Sequence, residues 1–170
     1  MNFNQRRCIL EGMPIHLGMG DTEVNPLIAI QDEVRDHFGW GLQADIDSTE
    51  SMKLSFASNQ PFGLSEWNSD GRNQALGDLQ LKLLKAIAVV FVGAAVESQQ
   101  LEEMIGDGVV FIAADGAVGA LPEHADLACI VSDFDGTPHL ELAAKNGATI
   151  IAHAHGDNME AWKECVKTWS

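Results

Sequence analysis

The sequence has no tyrosine, only three cysteines, and ten Lys or Arg against 25 Asp or Glu, giving a net charge of -15 over 170 residues. So few cations cannot form the basic face that neutralises a nucleic-acid backbone, and 6% aromatic content leaves few platforms for stacked bases. Cys8, Cys129 and Cys165 are odd in number, widely spaced and without a Cys-x-x-Cys pair. That pattern excludes a disulfide framework, a zinc finger and a thioredoxin-like motif, and it predicts reduced thiols in an intracellular compartment. No apolar run reaches the length of a membrane span, and Cys8-Ile9-Leu10 after Arg6 and Arg7 is too short for a signal-peptide core. A cytoplasmic location is therefore expected, with neither membrane nor nucleic acid as a partner.

Two textures follow one another along the chain. Residues 1–85 are polar and punctuated by Gly and Pro, and they are expected to form a mostly helical lead-in packed on the remainder. Asn25-Pro26 reads as a cap and first helical residue, followed by Leu27, Ile30, Val34 and Phe38 at helical spacing until Gly39. A weaker helical pattern covers about 45–58. A third helix is predicted from Asn73 to about Ile87, with Leu76, Leu79, Leu83 and Ile87 as its apolar stripe.

Residues 86–170 change to short apolar runs separated by Gly-rich or acidic turns and helical stretches. This is the pattern of an α/β fold with an open, mainly parallel sheet and flanking helices. The predicted strands are Ala88–Val92, Val109–Ala113, Leu127–Val131 and Ala148–Ala152, with helices near 97–105, 117–121, 138–146 and 158–168. Thr137-Pro138 opens the third of these helices, and Gly147 closes it in the left-handed position. Cys129 reads as a small core residue; Trp162 and Trp169 read as core or a subunit contact, so a homo-oligomer is compatible with the sequence. His16, His37, His124 and His139 are assigned to surface or loops.

No Lys or Arg lies between Lys85 and Lys145, yet ten acids do. Some of these suit a solvated surface, but Asp115, Asp133, Asp135 and Asp157 each follow the end of a predicted strand. The carboxyl ends of parallel strands share one rim, where ligands bind. Carboxylates gathered there repel one another unless a cation joins them or one takes up a proton. Oxygen-only ligands of this kind favour Mg²⁺.

Two runs concentrate this chemistry. In Ser132-Asp133-Phe134-Asp135-Gly136 alternate carboxylates can face one site; the competing role for these acids is to cap the helix at Pro138. The run also spells the DxDGT loop of haloacid-dehalogenase-like phosphatases, but too little chain follows Thr137 for the rest of that machinery. In His153-Ala154-His155-Gly156-Asp157-Asn158 the two histidines share a face, which invites a zinc reading, and the run resembles the HxHxDH signature of metallo-β-lactamase-like hydrolases. Asn158 stands where their last His belongs, so zinc is the weaker reading. The plainer roles are a buried, hydrogen-bonded His153 and an Asp157 that caps the last helix.

Ala113-Ala114-Asp115-Gly116, Val131 to Gly136, Asn146-Gly147-Ala148 and His153 to Asn158 together resemble the archaeal 6-hydroxymethyl-7,8-dihydropterin diphosphokinase family, related in fold to thiamin pyrophosphokinase. The resemblance covers residues 88–160. It implies a Rossmann-like, thiamin pyrophosphokinase-like fold and a Mg²⁺-dependent transfer of diphosphate from ATP to the hydroxymethyl group of a reduced pterin, releasing AMP, in folate or methanopterin-type cofactor synthesis. It places catalytic roles on Asp133, Asp135 and Asp157, the metal on these with Asp115, and nucleotide or pterin contacts on Gly93, Ser98, Asp115, Gly116, His155 and Asn158. Where the family usually has a Gly-rich loop with a Pro-Ser pair, this chain has Gly93-Ala94-Ala95-Val96-Glu97-Ser98, which puts a carboxylate near the phosphates. Relatives also continue with further strands, so the core is expected to lack its C-terminal strands. The alternatives are a non-catalytic nucleotide- or metal-binding or assembly homologue, or a diphosphokinase for another alcohol such as thiamin.

Overall fold

The computed structural model describes residues 26–39, 41–64, 67–136 and 138–169. The expectations placed on Cys8, His16, Asn25 and Thr137, and on residues 1–24 generally, lie outside them. The chain divides into two compact units between Phe38 and Gly39. Of the first, helix α1 (Pro26–Phe38) is described, ending as predicted at Gly39, whose φ of 69° places it in the left-handed region.

The second unit opens with α2 (Leu42–Ser58) and α3 (Ser69–Lys85). It then alternates β1 (Ala88–Val92), α4 (Ser98–Glu102), β2 (Val109–Ala114), a 3₁₀ helix (Asp115–Ala120), β3 (Leu127–Ser132), α5 (His139–Lys145), β4 (Ile150–Ala152) and α6 (Met159–Thr168). The four strands pair in the order β1-β2-β3-β4, all parallel. The molecule is thus mixed α/β, as the alternation of apolar runs and turns predicts. Among the described residues no helix is long and apolar enough to cross a membrane.

Helix α2 is longer than its weak periodicity suggests. It buries one narrow stripe, Ser48, Met52 and Phe56, spaced four apart, while Leu54 on the same helix stays exposed. Helix α3 starts four residues ahead of the predicted Asn73, because Asn68 caps it by accepting the Gly71 N–H at 2.9 Å. It also ends before Ile87. Of its predicted stripe Leu79 is buried, whereas Leu76 and Ile87 are exposed.

Side chains alternate across the sheet, and each face has its own core. Phe111, Ala113 and Ile130 pack with Leu101, Leu140, Trp162 and the α2 residues Met52 and Phe56. Val110 and Cys129 pack with Leu79 of α3. Lys82 of α3 reinforces that contact, donating to the Leu127 carbonyl at 2.7 Å and pairing with Asp126 at 2.5 Å. Helices α2 and α3 therefore lie on opposite faces of the sheet. Trp162 and Trp169 are both core residues, and Cys129 is the small core residue expected.

Candidate functional site

The site grows from the carboxyl ends of β2 and β3. Asp115 follows β2 directly, and its φ of 47° turns the chain sharply into the 3₁₀ helix. Asp tolerates this left-handed conformation better than most residues. Phe134, with a φ of 75°, does not, and something must hold it. Its ring is 2% exposed and lies against Phe56 and Trp169, at centroid distances of 6.0 and 5.9 Å. Burying the middle residue of Asp133-Phe134-Asp135 anchors the loop, and its two carboxylates project from that anchor.

Ser132, the last residue of β3, is 1% exposed and ties the two loops together. Its hydroxyl donates to Asp115 Oδ1 and accepts the Phe134 N–H at 2.9 Å. Gly136 completes the cradle. A Cβ there would lie 2.2 Å from Asp115 Oδ2 and from the Gly116 nitrogen, so any side chain would separate the loops. Gly116 faces Gly136 backbone in turn.

Carboxylate oxygens of Asp115, Asp133 and Asp135 consequently lie within 4.8 Å of one another. Among the described residues this is the group of His, Cys, Asp or Glu with the spacing to hold a metal ion. The crowding has an electrostatic signature: a hydrogen bond shared with Asp115, then the charges of Asp133 and Asp115, push the Asp135 carboxyl up to about 6. An all-oxygen set, with no nitrogen or sulfur ligand, fits a hard divalent cation such as Mg²⁺.

The fourth strand-end acid sits apart from this triad. Asp157 hydrogen-bonds the Nδ1 of His155, whose Nε2 is 3.7 Å from Asp133 Oδ2, so Asp157 reaches the cluster through the imidazole. Neither acidic loop serves as a helix cap: Pro138 is the N-cap residue of α5 and Asn158 that of α6, each without a side-chain capping bond. His153 is exposed rather than buried, and its ring lies 5.1 Å from that of His155.

Asn158 holds the turn together. It is 7% exposed, accepts the His155 N–H at 3.0 Å and donates to the carbonyls of Asp133 and His153 at 3.0 and 2.7 Å. One amide thereby fixes both the His155 turn and the Asp133 loop. Asp45 of α2 accepts the Gly156 N–H at 2.9 Å from the other side.

Gly93 and Ser98 lie beyond the end of β1, both exposed, on the far side of β2 from the Asp133 loop. There Glu97, not Ser98, caps α4 through a reciprocal capping box with Gln100. Ser132 and Asp45 carry no role in the sequence reading, whereas Gly136 is there only the residue that turns the chain after the two carboxylates. For Ser132 a signal did exist, since it shares the inward face of β3 with Ile130 although it is polar.

No family model matches the chain, and no solved structure matches it. Over 130 residues it is 26% identical to the 6-hydroxymethyl-7,8-dihydropterin pyrophosphokinase of Pyrococcus furiosus. The aligned stretch is 76% of this chain and 51% of that protein, so the chain spans about half the length of the curated relative it matches. The strand rim lined with three carboxylates thus belongs to a chain distantly similar to a pterin pyrophosphokinase.

Proposed function

We propose that this protein transfers a diphosphate group from ATP to the hydroxymethyl group of 6-hydroxymethyl-7,8-dihydropterin and releases AMP, in a cytoplasmic, Mg²⁺-dependent step of folate or methanopterin-type cofactor synthesis. The observation that carries this reading is the convergence of Asp115, Asp133 and Asp135 at one strand rim, built on Ser132 and Gly136. The distant likeness to a pterin pyrophosphokinase supports the choice of reaction.

Asp115, Asp133 and Asp135 would hold Mg²⁺. When bound, the ion neutralises the phosphate oxygens and the charge that develops on the departing AMP oxygen. The remaining work is positional, and the chain's own residues supply it. Ser132 fixes Asp115 relative to the Asp133 loop, and Asn158 fixes that loop relative to His155. Asp157 orients His155 through Nδ1, which leaves Nε2 directed toward Asp133 and available to hold a proton near the reacting alcohol. Gly116 admits the close approach of the two loops. Gly93 and Ser98 are the residues offered to the nucleotide from the β1 side.

One observation weighs against productive placement of the phosphates and so favours a second reading, a non-catalytic homologue that binds metal or nucleotide without transfer. The Glu97 carboxylate already occupies the start of α4, where an incoming phosphate would otherwise meet free backbone N–H groups. A single experiment separates the two. The protein is incubated with Mg²⁺, ATP and 6-hydroxymethyl-7,8-dihydropterin and AMP is measured, while calorimetry follows the binding of a nonhydrolysable ATP analogue with Mg²⁺. The transfer reading expects AMP from the wild type and a loss of at least about 100-fold in both readouts for Asp133→Asn. Analogue binding without AMP would support the second reading, and equal binding by Asp133→Asn would remove the carboxylate site from both.

A further inference from the structure

We propose that Asp45, on the first turn of α2, is a positioning residue of the site: it holds the His155-Gly156-Asp157 turn from the α2 side and so sets where the His155 imidazole stands between Asp157 and Asp133. This inference rests on the diphosphate-transfer reading above and adds a residue that acts through the backbone of that turn.

The inward stripe of α2 changes character along its length. Met52 and Phe56 are apolar and enter the core, whereas Asp45, Ser48 and Thr49 are polar and each bonds to the stretch 154–162. Asp45 Oδ1 accepts the Gly156 N–H at 2.9 Å, Thr49 Oγ1 donates to the Ala154 carbonyl at 3.5 Å, and Ser48 Oγ accepts the Trp162 indole N–H at 3.2 Å. Burying the stripe needs none of these bonds, since apolar side chains would do it. Satisfied polar partners at fixed spacing instead select one placement of the helix against the turn. Gly156 shows how close that placement is: a Cβ on it would stand 2.6 Å from the Ala44 Cβ.

His155 and Asp157 flank Gly156, so whatever fixes the Gly156 amide fixes both. His155 Nδ1 bonds Asp157, and its Nε2 faces Asp133 Oδ2 at 3.7 Å. Asn158 restrains the turn from within, through the His155 N–H and the His153 and Asp133 carbonyls. Held there alone, the turn would be free to pivot about that amide. A second attachment one residue along, from a different element, removes the pivot. A carboxylate suits this work, because a hydrogen bond to an ionised acceptor is roughly twice as strong as a neutral one. The competing role for Asp45 is to favour the helix dipole as the acid in the first turn of α2. That role alone would change stability and leave the His155 ring where it is.

The test uses the full chain. Asp45→Ala removes the acceptor, while Asp45→Asn removes the charge and keeps an oxygen at the same reach. In nitrogen NMR without nucleotide, Asp45→Ala should shift the Gly156 amide and the His155 ring signals, and Asp45→Asn should return both toward their wild-type positions. In AMP formation, Asp45→Ala should lower kcat between about tenfold and a hundredfold with the KM for Mg²⁺-ATP kept within about twofold, since orientation is lost and nucleotide binding is not. Asp45→Asn should recover most of that rate. Gly156→Ala should reproduce the loss, and adding Ala44→Gly, which clears the space the new Cβ needs, should reverse part of it. That pair decides the matter where circular dichroism shows Asp45→Ala unfolded. Unmoved His155 signals in a folded Asp45→Ala would overturn the proposal, as would a Gly156→Ala equal to the wild type. An Asp45→Asn no better than Asp45→Ala would overturn it too, in favour of the dipole role. A wild type that forms no AMP would end the transfer reading instead, and the NMR comparison would still decide whether Asp45 places His155.

Discussion

One face of the β1–β4 sheet packs Phe111, Ala113 and Ile130 beneath residues from α2, α4, α5 and α6, whereas among the described residues the other packs Val110 and Cys129 beneath α3. The strand order explains the difference. Parallel crossovers are right-handed, so a sheet whose strands run 1-2-3-4 without reversal places every connecting segment on the same side. The α4, 3₁₀ and α5 segments therefore lie on one face and cover its centre. The other face depends on a helix that precedes the sheet in the chain, and toward its carboxyl end it remains open: Phe91 is 77% exposed, Ile151 43% and Val131 40%.

The largest expected effect tests that asymmetry directly. Phe111 is 0% exposed on the covered face, and Phe111→Ala should cost about 3–5 kcal/mol, since a filled and rigid surround leaves a cavity that cannot collapse. Leu79→Ala on the other face removes a side chain whose surround is half open. It should cost less, about 2 kcal/mol, near the lower end for such truncations. Urea unfolding of both variants measures the difference through the midpoint at constant m-value. Equal losses would show that the two faces are packed alike.

The covered face also supports the acidic rim, because Ser132 and Phe134 are buried on it and hold Asp115 and the Asp133 loop. That support keeps three carboxylates close whether or not a cation joins them, with a consequence for pH. The Asp135 carboxyl is raised to about 6 by its hydrogen bond with Asp115 and by the charges of Asp133 and Asp115, against about 3.9 in an unfolded chain. A raised carboxyl means that the folded state prefers the protonated form. The destabilisation is therefore fully present above about pH 6, and this group's contribution to stability improves as pH falls from about 6 to about 4. Asp135→Asn should flatten the melting temperature against pH across that window, and millimolar Mg²⁺ at pH 7 should raise the wild-type melting temperature more than the variant's. An unchanged slope in Asp135→Asn would show that the three carboxylates are not coupled. The side chain is exposed, so solvent screening keeps the effect smaller than the core truncations above.

How legible all this is in the sequence depends on which interaction decides each feature. Strands β1 to β3 fall within one residue of their predicted ends, because Val, Ile and Phe runs bounded by Gly or Asp leave few other options. Gly147, with a φ of 79°, closes its turn as expected for the same local reason. Helix α2 is obscured because its buried stripe includes a polar residue, Ser48, whose hydroxyl accepts the Trp162 indole N–H at 3.2 Å, a pairing across 114 positions. Strand-end placement suffices to anticipate that Asp115, Asp133 and Asp135 meet. That Asp157 turns to His155 is set by the geometry of one tight turn, and no periodicity reports that. The uneven clothing of the sheet follows from strand order, which is a property of the assembled chain and not of any segment.

The smallest expected effect is also the sharpest test of the open face. Phe91 stands on β1 at 77% exposure, so its ring already contacts mostly water, and folding gains little from it. Phe91→Ser should change unfolding free energy by no more than about 0.5 kcal/mol in the isolated chain, the range of substitutions that break no packing, cap or buried hydrogen bond. A Phe so placed beside Val89, itself 37% exposed, is nonetheless a hydrophobic surface that makes an edge strand prone to association. The same variant should therefore raise the concentration at which light scattering first appears. A loss of more than about 2 kcal/mol would mean that Phe91 is covered in solution, and the contrast between the two faces would then fail.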